Sequence, residues 1–119
     1  MKKSIALAAS GTMLVTALVG LTATTASAGA SCGHAAPADK DGSSWPTATV
    51  NVNIRTGSST SCTSVGILAA GQRADYYCYT VNTSSGATWT YLRDVATGVQ
   101  GWVRDDNLPR DGSTVYCGF

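Results

Sequence analysis

The sequence predicts an all-β domain, a small barrel of five to six short strands with an irregular N-terminal arm. Three observations carry this prediction. Apolar and polar residues alternate in short runs, as in Val50-Asn51-Val52-Asn53-Ile54-Arg55, and a period of two marks a strand with one face buried. Glycine-containing turns separate the runs at roughly 8–12 residues, the spacing of small sandwiches and barrels. No segment beyond the N-terminal region carries a helical period.

Residues 1–28 stand outside the expected fold. Lys2 and Lys3 precede an apolar stretch over residues 5–21, and small residues follow, ending Ala26-Ser27-Ala28. That order reads as a secretory signal peptide cleaved after Ala28. A retained anchor would want about 20 apolar residues, whereas this stretch is shorter and is interrupted by Ser10-Gly11-Thr12. A lipid-modified Cys32 is disfavoured, because no large aliphatic residue stands three positions before it. The expected product is a secreted chain, extracellular or wall-associated, with no membrane contact after cleavage.

The remaining 91 residues, 29–119, hold one small domain and exclude a multidomain enzyme. Without Lys2 and Lys3, six basic residues face seven Asp. A balance so near neutrality gives no electrostatic capture of nucleic acid or of an anionic membrane.

Each element then follows in order. Residues 29–46 are rich in Ala, Gly, Ser and Asp without an apolar period, and read as the arm. The domain and its C-terminal tail occupy residues 47–119. Val50, Val52 and Ile54 set the first strand, and the polar run at 56–61 is a loop. Residues 65–70 form the second strand, closed by a turn at Gly71. In the third strand, Ala74, Tyr76 and Cys78 point inward and Asp75, Tyr77 and Tyr79 outward. A turn at 82–86 leads into a fourth strand over 89–95, and Ala96-Thr97-Gly98 returns the chain into a fifth over 99–104. Residues 105–108 make one helical turn before Pro109, and 115–117 form a short sixth strand.

All four cysteines, Cys32, Cys62, Cys78 and Cys117, follow residue 28. An even number in a short exported chain reads as disulfides, which supplement a marginal core. A zinc site would want paired ligands, but there is no Cys-x-x-Cys and His34 is the sole histidine. Neither a metal nor a cofactor is expected.

Asn53-Ile54-Arg55-Thr56-Gly57-Ser58-Ser59-Thr60, with Val65-Gly66-Ile67-Leu68 and Gly71, resembles the opening of bacterial SH3-like domains. Those begin with an Asn-Val-Arg-Ser-Gly-Pro-Ser-Thr type of motif and a Gly-x-Leu strand. Trp89-Thr90-Tyr91-Leu92-Arg93 is similar to the family's Trp-x-x-Val strand, and Gly98, Gly101-Trp102-Val103 and Leu108 to its closing Gly-Trp-Val-x-x-x-x-Leu signature. The match covers residues 51–108. It departs at Ser58, where the family often has Pro, at the Tyr76-Tyr77-Cys78-Tyr79 run, and in the cysteines. The resemblance implies an SH3-like barrel that binds cell-wall peptidoglycan or short peptides.

Four cysteines permit three pairings. In a hairpin of the second and third strands about Gly71, Cys62 and Cys78 lie nearly opposite. Cys32 and Cys117 are then left to tie the termini together. The expected pairs are Cys62–Cys78 and Cys32–Cys117.

The catalytic inventory is poor, and an enzyme is not expected. The chain has no Glu, and its one imidazole, His34, sits in the arm as a solvated residue. Asp105 and Asp106 read as caps of a short helical turn rather than as an acid–base pair. Aromatic residues say more, since seven of the nine fall between Tyr76 and Tyr116. Tyr77 and Tyr79, with Tyr91 and Trp102, form the expected ligand groove, because such rings stack while their polar tips hydrogen-bond. Trp89 and Trp102 also read as packing residues. Arg55 is expected to anchor the polar loop through carbonyl contacts, and Gly57, Gly71, Gly98 and Gly101 to serve turns or close packing. Asn82-Thr83-Ser84 meets the glycosylation pattern but is discounted, because the signal and the resembled family are bacterial. The expected function is a secreted, non-catalytic binding module. The alternative is a secreted effector, an inhibitor or signalling protein that docks on another secreted protein.

Overall fold

Val52 and Ile54 are buried and Asn53 between them is exposed, the alternation expected of the first strand. The computed structural model describes residues 29–119; the expected signal peptide lies outside the described residues. Five antiparallel strands make one sheet: β1 (Val52–Arg55), β2 (Ser64–Leu68), β3 (Ala74–Val81), β4 (Thr88–Asp94) and β5 (Gln100–Arg104), in the order β2-β1-β5-β4-β3. The chain is all-β, and each of its first five expected strands is in place. Short 3₁₀ turns follow at Asp105–Asn107 and Pro109–Asp111. The expected sixth strand is a single parallel bridge between Tyr116 and Tyr79.

One face of the sheet closes on itself. Val52, Ile54, Leu68, Ala74, Tyr76, Leu92 and Val103 form one buried cluster with Ala48 and Leu108. Every strand contributes, including both edges, so the sheet curls around this core. At the seam, Ala74 N–H donates to Pro46 O at 2.9 Å and Ala48 N–H to Gln72 O at 2.8 Å. Gly101 allows β5 to approach β1, since a Cβ there would lie 2.6 Å from Arg55 O.

The outer face is buried as well. In β4 and β5 the pairs Tyr91-Leu92 and Trp102-Val103 put one large apolar side chain on each face. Trp89, Tyr91 and Trp102 form a second cluster with Cys78, Ala30 and Cys117. Arm and tail cover it. Ser58 N–H donates to Ala30 O at 2.9 Å, and Ala30 N–H to Ser58 Oγ at 2.8 Å. Tyr79 N–H donates to Val115 O at 2.7 Å, and Cys117 N–H to Tyr79 O at 2.9 Å. Lys40 Nζ reaches Cys117 O at 2.8 Å. The arm is irregular, as expected, but it is a structural layer rather than a loose lead.

A β-bulge corrects the expected parity of β3. Tyr76 pairs with Leu92 while Cys78 pairs with the next residue of β4, Tyr91. Two residues of β3 thus oppose one step of β4, which reverses the alternation. Tyr76 enters the inner core and Cys78 the outer cluster, so they do not share a face.

The disulfides are Cys32–Cys62 and Cys78–Cys117. The expected pairs Cys62–Cys78 and Cys32–Cys117 are therefore incorrect. They assume that β2 and β3 pair as a hairpin, whereas these strands are opposite edges of the sheet order. Cys62 instead lies in the β1–β2 loop under the arm, and Cys78 beside the tail that flanks β3. Two disulfides suit an extracellular or otherwise oxidising environment. Among the described residues, no helix is long and apolar enough to cross a membrane.

Candidate functional site

The four aromatic residues expected to line a groove are not arranged as one. Trp102 is fully buried and Tyr91 is 6% exposed. Tyr77 is half-buried against Tyr91 with ring centres 5.3 Å apart, and Tyr91 packs edge-on to Trp102 at 5.3 Å. Phe119 extends the array 6.1 Å from Trp102, and His34 stacks on Phe119 at 4.4 Å. The bulge sends Tyr79 to the other face, where it meets Tyr116 at 5.6 Å. The Tyr91 hydroxyl donates to Gln100 Oε1 at 3.1 Å, and burial holds its phenol above the ordinary value. Tyr77, Tyr91 and Trp102 thus meet as a packed stack under the arm and tail, and Tyr79 stands apart.

The open surface lies elsewhere on the same outward face. Antiparallel pairing sets Arg104 beside Trp89 and Arg55 beside Trp102. The β1–β2 loop rises on one side and the β3–β4 hairpin on the other. Arg55 Nη1 donates to Cys62 O at 3.0 Å, the loop-anchoring role expected of it. The Cys32–Cys62 disulfide fixes the same loop to the arm. Asn82 ties the two walls together: its Nδ2 donates to Ser58 O at 2.8 Å, and its Oδ1 accepts from Ser84 N–H at 3.0 Å.

Between these walls lie adjoining concavities. One of about 160 Å³ is lined by Asn53, Arg55, Thr60, Trp89, Arg104 and Asn107 with Val52 and Val103. A second of about 250 Å³ shares Thr60, Trp89 and Arg104 and adds Ser59, Asn82, Ser84 and Ser85. A third of about 340 Å³ continues past Ser59 and Asn82 to Ala30 and Cys32. Among its lining residues the groove has a tryptophan floor, hydroxyl and amide walls, two guanidinium groups and no carboxylate. Arg104 Nε pairs with Asp106 Oδ2 at 3.0 Å on the exposed side. The Trp89 indole N–H is buried without a hydrogen-bond partner.

Two further carboxyls, those of Asp105 and Asp41, are buried and hydrogen-bonded within the fold. The expectation that Asp105 caps the 3₁₀ turn is incorrect, since its side chain makes no cap bond. Its carboxyl is buried and accepts from Thr90 Oγ1 at 2.6 Å. Burial pushes its pKa up to about 6, against the opposing pull of hydrogen bonds from Thr90 and Thr88. Gly112 packs directly on this carboxyl and leaves no room for a substrate. Asp41 is also buried, which would raise its pKa, but hydrogen bonds from Ser113 and Ser43 hold it below the ordinary value. Ser113 Oγ donates to Asp41 Oδ2 at 2.6 Å and so fastens the tail to the arm.

Sequence reasoning misses this groove, because it gives Trp89 a packing role only and treats the Ser-rich loop as a connection. The legible signal is a hydroxyl-rich loop in a chain whose Trp89 and Arg104 occupy neighbouring strands. No protein-family model, no curated protein and no solved structure matches the chain.

Proposed function

We propose that the chain is a secreted, non-catalytic binding module of SH3-like architecture that recognises cell-wall peptidoglycan or short peptides. The observation that carries this reading is the groove over Trp89 and Arg104. Its walls are held by a disulfide, by Arg55 and by Asn82, so little ordering is needed on binding. Hydroxyl and amide groups above an aromatic floor suit ligands that present many amides and hydroxyls. The curled five-stranded sheet and the sequence resemblance over residues 51–108 support the SH3-like assignment. The order of basic, apolar and small residues in 1–28 and the two disulfides support secretion.

Sedimentation with purified cell walls tests the function. The mature protein should pellet with walls and stay soluble without them. Retention in the supernatant with every wall preparation would remove this reading.

A second reading, an effector that docks on another protein, draws on β2. This edge strand has no charge or proline, and Val65 and Ile67 are 47% and 55% exposed. Such an edge can accept a partner's strand. Absence of wall binding, with strand-dependent capture of a defined partner, would favour it.

A further inference from the structure

Four acids are buried among the described residues, and one of them is poorly compensated. The side chains of Asp41 and Asp94 accept backbone N–H groups, and Asp75 pairs with Arg93. The Asp105 carboxyl meets only hydroxyls, those of Thr90 and Thr88 of β4. Its charged neighbours repel it, since Asp106 of its own turn and Asp111 of the next are both acidic. Tyr76 of β3 also faces it, with a hydroxyl that donates to Pro109 O at 2.7 Å. The nearby cations are engaged elsewhere: Arg104 pairs with Asp106, and Arg110 Nη2 donates to Ser44 O at 3.1 Å. A carboxylate in such a place regains solvation only if its cover moves aside.

That cover is strained. Arg110 and Asp111 have φ of 60° and 53°, left-handed values that residues with side chains rarely adopt, and Gly112 follows at 77°. Gly112 lies directly on the Asp105 carboxyl and the Thr90 hydroxyl. Next along the chain, Ser113 N–H donates to Thr90 Oγ1 at 2.9 Å, and Ser113 Oγ donates to Asp41 Oδ2 at 2.6 Å. Thr90 thus joins the acid to the turn, and Ser113 joins the turn to the arm. Anchors flank this short segment: Tyr76 holds Pro109 O, and Tyr79 N–H holds Val115 O at 2.7 Å. We propose that residues 110–114 are a pH-sensitive latch, closed on the arm while Asp105 is protonated and freed to open locally, with the sheet intact, once it ionises. Release of the left-handed turn lowers the cost of opening. Burial raises the carboxyl's pKa to about 6, which places the change in mildly acid solution. Opening removes the Ser113–Asp41 tie between tail and arm, while Lys40 and the Cys78–Cys117 disulfide keep the tail in place.

The test is native-state hydrogen exchange of the mature, oxidised protein, read by NMR and corrected for intrinsic amide chemistry. Between about pH 4 and 6 the protection of the Ser113 amide should fall about tenfold per pH unit, because opening releases one proton. Urea below the unfolding range should leave that exchange unchanged, since a local opening exposes little surface. The Leu92 amide, on a strand paired on both sides, should stay better protected and respond to urea. Asp105→Asn keeps an acceptor for Thr90 and should remove the pH dependence at Ser113. If that variant does not fold, the wild-type profile in pH and urea decides by itself. Ser113 protection that is flat with pH, or Ser113 exchange that follows Leu92 in urea, overturns the latch. A pH slope at Ser113 that survives in Asp105→Asn does the same.

Discussion

Asp105 makes stability depend on pH in an unusual direction. Its carboxyl is buried beneath Gly112 and bonded to Thr90, and its pKa rises from 3.8 to about 6. The folded state therefore holds a proton between about pH 4 and 6 that the unfolded state has released. Stability falls as pH rises through this window, because the unfolded state binds fewer protons there. A shift of about two units corresponds to roughly 3 kcal/mol between the window's ends. That is a large share of the roughly 5–15 kcal/mol typical of a domain. Asp41 acts in the opposite sense and lower down: its depressed pKa contributes stability above 3.8 that is lost as pH falls further. Asp39, raised by partial burial and by Asp75, adds to the Asp105 slope. Urea unfolding followed by tryptophan fluorescence at half-unit steps from about pH 4 to 7 measures the effect. With a slope of about 1 kcal/mol per molar urea for so small a protein, the midpoint should drop by about 2–3 M across the window. Asp105→Asn keeps the shape and an acceptor for Thr90 but cannot ionise, and should flatten most of the dependence. A wild-type midpoint that rises from pH 4 to 6, or an unchanged slope in Asp105→Asn, would refute the reasoning.

Two further outcomes test the outer layer. Trp102→Ala empties the centre of the outer aromatic cluster and should cost about 3–5 kcal/mol in urea unfolding, with faster proteolysis within residues 29–46; a loss below about 1 kcal/mol would show that the face is not packed as described. Peptide mapping should recover Cys32–Cys62 and Cys78–Cys117, whose separations of 30 and 39 residues are each worth about 4 kcal/mol in the chain-entropy model; recovery of Cys62–Cys78 would contradict the sheet order.

The five strands are legible in the sequence because alternation is local, and the role of Arg55 because its carbonyl partner lies only seven residues on. What lies beyond reach depends on distant chain. A run of Tyr76-Tyr77-Cys78-Tyr79 looks uniform, so nothing in it marks where the bulge reverses the faces. Disulfide pairing follows the sheet order, which no short window encodes. The adjacent apolar pairs Tyr91-Leu92 and Trp102-Val103 are a readable sign of a second buried face, since successive strand residues point opposite ways. An open groove at Tyr91 and Trp102 neglects that sign, and this is why the expectation fails there. The groove over Trp89 needs the loop and the hairpin to meet through Asn82 and Ser58, 24 residues apart.

Covering a sheet with both ends of the chain also constrains the order of assembly. Lys40 bonds Cys117, 77 residues later, and Asp41 bonds Ser113, 72 residues later. Contacts of such long range form slowly, because much of the chain must be ordered before they repay it. During synthesis the arm emerges first, yet its cover partner Cys117 emerges after all five strands. Until then the outer tryptophans face solvent, and the short 16-residue loop between Cys62 and Cys78 is easier to close than either native one. Oxidation before the tail arrives would trap that bridge, so the native connectivity favours folding first and cross-linking second.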